Sequence, residues 1–385
     1  MRAVSVSFEN YRNLAAASLT FSPGVNVLWG DNAQGKSNIL EGIYYFARGK
    51  SFRGVPDRLL VRTGCDFASL TLDCRSAADS YDTRLGITIP HQGRKRLTRG
   101  GAPLSGLREL VGSFRAVLFC PEHLTLVSGS PAQRRAFLDI AAAQLSPQYV
   151  AALTVYTRAL AERNALLRQA AEGLAVEADQ WAVYAESLSR SGAYIAQVRA
   201  AYTKRLEAHV ARTFAEMTGE RERPALLYCG AADADADPSA ELFTPAPDEA
   251  LRARLRDALT AEIPREIRAG TTLFGVHRDD LAISLNGEAA RLYASQGQTR
   301  SLALAMKLAE GAIARDAGGE EPVYLLDDVF SELDGERRGY LLSALGERQV
   351  IITSCEPKVW IDEVPGVALF RVCAGKVTPQ TEIRI

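Results

Sequence analysis

The sequence predicts an α/β fold in which a strand-rich domain is interrupted by a mainly helical lobe. Three observations point there. The stretch GDNAQGKS (30–37) follows a short apolar run and opens a helix-forming segment. From about Pro131 to Glu222 the chain reads as helix. Strand patterns then return towards the end, in VYLLDD (323–328) and QVIITS (349–354). The expected organisation is one discontinuous domain built from 1–120 and 270–385, with 121–269 inserted as the helical lobe.

Each element has its own signal. AVSVSF (3–8) alternates in strand fashion, and GVNVLWG (24–30) is a buried-strand run ending on Gly30. From Asn38 onward, Ile39, Ile43 and Phe46 recur at helical spacing. FASLTLDC (67–74) and TRLGITIP (83–90) alternate again, and the basic stretch after Pro90 reads as a hairpin tip. Apolar residues then recur every three or four positions from Trp181 through Leu188, Ile195, Tyr202 and Leu206 to Phe214, which predicts one long amphipathic helix. Tyr149 to Leu167 reads as its antiparallel partner. The Ala/Asp/Pro-rich segment 229–249 is expected to be an exposed loop, followed by a charged helix to about Ala269. DLAISLNGEAARLY (280–293) predicts a hairpin turning at Asn286-Gly287.

Composition narrows the classes. No apolar run approaches the roughly 20 residues that span a bilayer. The N-terminus MRAVSVSFENYRNL has no apolar signal core, so a cytoplasmic, membrane-free protein is expected. The six cysteines are scattered without a C-x-x-C pair, and the four histidines lie far apart, which argues against a disulfide framework or a zinc site. A net charge of −1 does not announce a polyanion partner, but its distribution is uneven. Basic residues cluster at Arg48, Lys50, Arg53, Arg58 and Arg62, and again in GRKRLTR, which holds Arg94, Lys95, Arg96 and Arg99.

GDNAQGKS fits G-x-x-x-x-G-K-[ST], a loop whose backbone N–H groups cradle phosphates. Gly30, Asp31, Asn32, Ala33, Gln34 and Gly35 would form the cradle, together with Asn38. Lys36 would reach the β- and γ-phosphates, and the Ser37 hydroxyl would hold Mg²⁺. VYLLDD would deliver Asp327 beside the loop, where it holds magnesium partly through water, and Asp328 next to it to orient or activate the attacking water. ASQGQTRSLALAMKLAE (294–310) adds Ser295, Gly297 and Gln298 at a helix start. One nucleotide already has its cradle at 30–37, so this second set is expected to close on the γ-phosphate held by another copy of the chain. A plain serine N-cap is the local alternative.

The order of phosphate loop, S-x-G-Q, Asp-Asp strand and SELD (331–334) resembles the ABC-type, SMC-like ATPase head. The interval between Ser37 and Ser295 suits a compact helical lobe, shorter than an SMC rod and longer than a transporter insertion. PEHLTLVSGSPAQRRAFLD (121–139) resembles a signature of the bacterial RecF family, P-E-D-L-x-L-V-x-G-S-P-x-x-R-R-x-F-L-D, with His123 in place of an aspartate. LLDDVFSELDGERRGYLL (325–342), GTTLFGVHRDDL (270–281) and FENYRNL (8–14) are similar to further segments of that family.

This resemblance implies ATP and Mg²⁺ as ligands, slow hydrolysis used as a switch, and an ATP-dependent homodimer. It also implies action on DNA at single-strand gaps or junctions in repair, recombination, replication and the SOS response, with RecR and RecO, to help RecA load. Arg12 is expected near the adenine or α-phosphate. His277 and Arg278 are expected near the nucleotide or the lobe, and Arg134 and Arg135 in a structural role or near the nucleotide. DNA contacts are expected from Lys50, Arg53, Arg94, Lys95, Arg96 and Arg99, through phosphates rather than base sequence. The competing classes are an ABC-type head that does not act on DNA, such as a transporter motor, and a monomeric small-molecule kinase.

Overall fold

The structure, a computed structural model, describes residues 1–77, 80–219, 221–230, 242–243, 246–356, 360 and 364–380. They divide into two compact units, a head of 1–124 with 307–385 and a lobe of 125–306. The head is discontinuous, as the sequence predicts, but the expected boundaries need correction. The first falls after Leu124 rather than residue 120. The second falls after Met306 rather than at 269/270. Strand pairing is the reason: Asp280–Leu285 pairs along its length with Pro224–Cys229, which ties this segment to the lobe.

The head begins with a hairpin of β1 (Arg2–Tyr11) and β2 (Leu14–Thr20). Next come β3 (Val25–Trp29) and α1 (Lys36–Arg48). Strands β4 (Phe67–Arg75), β5 (Thr83–Pro90), β6 (Arg96–Arg99) and β7 (Ala102–Leu104) follow. They complete an antiparallel sheet ordered β2-β1-β4-β5-β6-β7. The basic GRKRLTR stretch is thus half turn and half strand. A short helix α2 (Leu107–Leu110) and strand β8 (Ala116–Phe119) end the first segment.

The lobe is built on three helices, α3 (Pro131–Ala143), α4 (Pro147–Ala171) and the 41-residue α5 (Ala178–Thr218). Two Ser-Pro pairs start the first two: Ser130 and Ser146 accept backbone N–H groups as N-caps, and the prolines occupy the first turn, where no N–H is needed. β9 (Pro224–Cys229) follows. The Ala/Asp/Pro segment lies mostly outside the described residues. The expected single charged helix is two, α6 (Glu249–Ala261) and α7 (Ile263–Ala269), because Pro264 starts a new helix. β10 (Asp280–Leu285) and β11 (Glu288–Ala289) make the hairpin at Asn286-Gly287. Next are α8 (Ala290–Tyr293) and α9 (Gln296–Gly318), inside which the second boundary falls.

The head resumes with β12 (Val323–Asp327), α10 (Gly335–Leu345), β13 (Val350–Ser354), β14 (Ala368–Cys373) and β15 (Lys376–Gln380). They form a second sheet ordered β15-β14-β3-β13-β12-β8, in which all pairings are parallel except β14 with β15. β12 is buried at every residue, as a sheet covered on both faces requires. Helix α1 packs on β12, β13 and β8 of this sheet and on β1 and β4 of the other, with most of its length buried. The parallel strands β3, β12 and β13 therefore deliver their C-terminal ends to one edge, the edge where open α/β sheets bind ligands. Among the described residues no helix is long and apolar enough to cross a membrane.

Candidate active site

The loop 30–37 leaves β3 through Gly30, at φ 151°. A Cβ there would stand 2.3 Å from the Val372 carbonyl oxygen. At Gly35, at φ 113°, a Cβ would stand 2.7 Å from Asn13 Oδ1. Both positions thus require glycine. Ala33 also adopts a positive φ, 63°. Two hairpin turns brace the loop from outside. Asn13, between β1 and β2, donates from Nδ2 to the Gln34 carbonyl (3.0 Å) and accepts at Oδ1 from Asn38 Nδ2 (2.8 Å). Between β14 and β15, the Gly375 N–H donates to the same Gln34 carbonyl, and the Ala374 N–H to Gln34 Oε1 at 2.6 Å.

Lys36 is buried. Its ammonium donates to the carbonyls of Gly30 and Asp31, the latter at 2.8 Å, and lies 3.5 Å from Cys355 Sγ. The Cys355 thiol in turn donates to Asn32 Oδ1 at 3.2 Å. The lysine therefore lies against its own loop, held by carbonyl partners that a phosphate can replace.

Asp327 ends β12 and is buried. Thr353 Oγ1 donates to its carboxylate at 2.9 Å, and the Ser37 side chain lies near enough to favour its charged form. Thr353 is opposite Asp327 in the parallel register of β12 and β13. Its oxygen also accepts the Asp328 N–H at 2.9 Å. Burial raises the Asp327 pKa, an effect opposed by the Ser37 and Thr353 side chains and by the charge of Arg53. Asp328 is held in the left-handed region (φ 52°, ψ 26°) with its side chain exposed. Ser37, Asp327, Asp328 and Lys36 are thus brought to one edge of the head.

Ser295 and Gln298 belong to the lobe. They form a reciprocal cap on α9: Ser295 N–H donates to Gln298 Oε1 (2.7 Å), and Gln298 N–H to Ser295 Oγ (3.2 Å). The local N-cap reading is therefore realised, with Ser295 exposed and Gly297 in the first turn.

The basic residues separate. Lys50, Arg94 and Arg96 are exposed. Lys95 turns into the head, where its ammonium meets Tyr45 Oη (2.8 Å), Asp57 Oδ2 (3.0 Å) and the Gly49 carbonyl, and covers the Tyr45 ring. Arg99 donates to the Glu109 carbonyl and Ser113 Oγ. Arg53 lies beside the phosphate-loop helix, with Nη1 donating to Asn38 Oδ1 at 3.0 Å. Arg12 is gripped by the fully buried Glu41 in a two-pronged pair of 3.0 and 2.9 Å.

The two other signature segments meet inside the lobe. Arg134 forks onto Asp280 (2.8 Å for both bonds), and Arg135 donates to the Asp279 carbonyl (2.6 Å). Asp139 accepts from Arg199 and from Tyr149. His277 bonds Tyr156 Oη (2.8 Å) and the Thr272 carbonyl (3.1 Å), and burial lowers its pKa to about 4. Arg278 also donates to the Thr272 carbonyl. In the head, His123 accepts the Cys120 N–H at Nδ1 (3.3 Å), a task the aspartate it replaces could also perform. Burial and the charges of Lys307 and Arg48 push its pKa well down, which keeps that acceptor free of a proton.

The chain, with its phosphate loop and Asp-Asp strand end, matches the RecF/RecN/SMC N-terminal domain family over residues 4–374. The DNA replication and repair protein RecF of Symbiobacterium thermophilum is 40% identical over 374 residues, covering 95% of each chain. The chain belongs to the RecF family. The RecF of Lacticaseibacillus casei is 38% identical, covering 97% of this chain and 99% of its own. Among solved structures, the recombination mediator protein RecF-ATPrS of the RecFOR pathway superposes with a TM-score of 0.89 at 32% identity, covering 98% of both chains. The RecF-ATP form gives 0.85 at the same identity. An Smc head bound to the C-terminal winged-helix domain of ScpA, at 14% identity and a TM-score of 0.53, shares the fold. The fold is accordingly the ABC-type, SMC-like ATPase head with an inserted helical lobe.

Sequence reasoning missed Asn13, Glu41, Ser51 and Thr353. Asn13 sits inside the FENYRNL segment, which offered a signal. Thr353 ends an apolar strand run, and only its pairing with β12 gives it meaning. Glu41 and Ser51 have no local pattern at all.

Proposed function

We propose that this chain is an ATP-dependent DNA-binding recombination mediator of DNA repair, acting in the cytoplasm as a weak ATPase whose hydrolysis serves as a switch. The observation that carries this is the joint of Ser37, Asp327 and Thr353 beside a lysine held by its own loop. The RecF relatives solved with ATP and ATPrS support ATP as the nucleotide. Lys36 exchanges its carbonyl partners for the β- and γ-phosphates. The loop N–H groups from Gly30 to Gly35 hold the remaining charge, with Asn38 alongside, and Arg12 lies on the adenine or α-phosphate side.

The donors fit a hard cation such as Mg²⁺: a hydroxyl beside a buried carboxylate, with phosphate oxygens and water completing the shell. When bound, the ion neutralises charge on the transferring phosphoryl group. Ser37 and Asp327 would hold it, and Asp328 orients or activates the attacking water.

Ser295, Gly297 and Gln298 close on the γ-phosphate held by a second copy, so ATP joins a homodimer and hydrolysis loosens it. Lys50, Arg53, Arg94, Lys95, Arg96 and Arg99 offer phosphate contacts to duplex, gapped or single-stranded DNA, without base readout. RecR, with RecO, and the loading of RecA at gaps are the partners and outcome the family implies.

Anisotropy of a labelled gapped duplex, with and without Mg-ATP at two salt concentrations, tests the reading. Salt-sensitive binding that tightens with ATP is expected, and Ser295→Arg should remove the ATP effect while keeping ATP binding. Binding indifferent to ATP in the wild type would overturn it.

A further inference from the structure

A chain of hydrogen bonds, closed through the Arg12–Asn13 peptide bond, runs beside the phosphate loop within the head. Asn13 holds the Gln34 carbonyl and the Asn38 side chain. Asn38 Oδ1 accepts from Arg53. The Arg53 N–H donates to Ser51 Oγ at 3.1 Å, and the Ser51 hydroxyl donates to Glu41 Oε1. Glu41 then grips Arg12, the neighbour of Asn13. One fully buried carboxylate on α1 therefore holds the Arg12 guanidinium from the β1–β2 turn and, through Ser51, the backbone of Arg53 in the loop after α1, whose own guanidinium reaches Asn38.

A carboxylate placed only to neutralise Arg12 has no need of Ser51. Here one oxygen, Oε1, serves both the Arg12 Nη2 and the Ser51 hydroxyl. Moving either partner disturbs the other, and networks of this kind are stiff when every member is satisfied. Two cations held at set positions beside a phosphate site are the kind of support that hydrolysis draws on as charge shifts in the transition state.

We propose that Glu41 is a positioning residue for ATP hydrolysis, setting Arg12 directly and Arg53 through Ser51 against the phosphate loop. This rests on the nucleotide reading above.

The test is steady-state hydrolysis by the full chain with Mg-ATP, for wild type, Glu41→Gln, Ser51→Ala and the double variant, with melting curves alongside. Loss of alignment should lower kcat by about tenfold in Glu41→Gln, with KM within about threefold, since displaced groups cost rate more than binding. Ser51→Ala should fall in the same direction. The double variant should be no slower than Glu41→Gln, because both act through one joint. Wild-type kcat in Ser51→Ala, or losses that multiply in the double variant, would overturn the inference even if Glu41→Gln fails to fold. A wild-type chain that binds no ATP would instead sink the nucleotide reading itself.

Discussion

The head and the lobe use their motif residues in opposite ways. In the head, motif side chains meet replaceable partners: Lys36 rests on loop carbonyls, and Asp328 is exposed on a left-handed backbone. In the lobe, Ser295 and Gln298 apart, they are held by ion pairs within the lobe. Arg134 forks onto Asp280, Arg199 onto Asp139, and Arg163 pairs with Glu266 with neither side chain exposed. A long sequence signature therefore has two physical meanings. One keeps polar groups poised for a ligand, and the other locks a helical scaffold whose core is partly ionic.

The sharpest way to break the contrast is Arg163→Met. It leaves Glu266 buried without its cation, although Glu266 keeps the Leu273 N–H at 2.7 Å. Breaking a buried pair by removing one partner costs roughly 3–5 kcal/mol. Thermal or urea unfolding should record that loss, while nucleotide binding by the remaining folded protein stays unchanged. A melting temperature equal to wild type would deny the lobe its ionic core.

Lys36→Met should act the other way. The ammonium rests on carbonyls of its own loop rather than on a buried counter-charge, so stability should change less than in Arg163→Met, while ATP affinity should fall by about a hundredfold, as loss of a charge-assisted phosphate contact implies. Titration with a fluorescent ATP analogue measures it. Unchanged affinity would remove Lys36 from the cradle.

Thr353→Val keeps shape and deletes the hydroxyl shared by Asp327 and the Asp328 N–H. Turnover should fall about tenfold with ATP binding nearly intact, because a hydrogen bond to a charged group is worth roughly 1.5–3 kcal/mol. A rate equal to wild type would mean that the two aspartates align without it.

An effect on stability alone concerns pH. The folded lobe holds His277 with a pKa of about 4, below the ordinary 6.5. The proton is thus bound more readily by the unfolded chain. The stabilising contribution is present above pH 6.5 and is lost as pH falls towards 4, on the order of 2–3 kcal/mol across the window. His277→Gln should flatten that part of the stability–pH curve. An unchanged slope would assign the acid sensitivity to other groups.

The order of strands and helices was legible because apolar period and turn chemistry are local properties. So were Lys36, Ser37, Asp327 and Asp328, since a strand end followed by a fixed spacing suffices to place them. The lobe boundary was not legible, because β10 belongs with β9 through pairing across a long sequence gap. Nor was the fate of the arginine-rich clusters. A basic run looks the same whether its side chains face water, as at Arg94 and Arg96, or turn inward, as at Lys95.

The sequence by itself determined the fold class, the phosphate loop and the identity of the strand end that faces it. The tertiary structure alone decided which side chains support them: Asn13 and the Ala374-Gly375 turn beneath the loop, Thr353 beside Asp327, and Glu41 between Arg12 and Ser51. The reason is that phosphate binding is written in consecutive residues, while bracing is contact between segments far apart in the chain, which only packing of the sheets around α1 brings within hydrogen-bond reach.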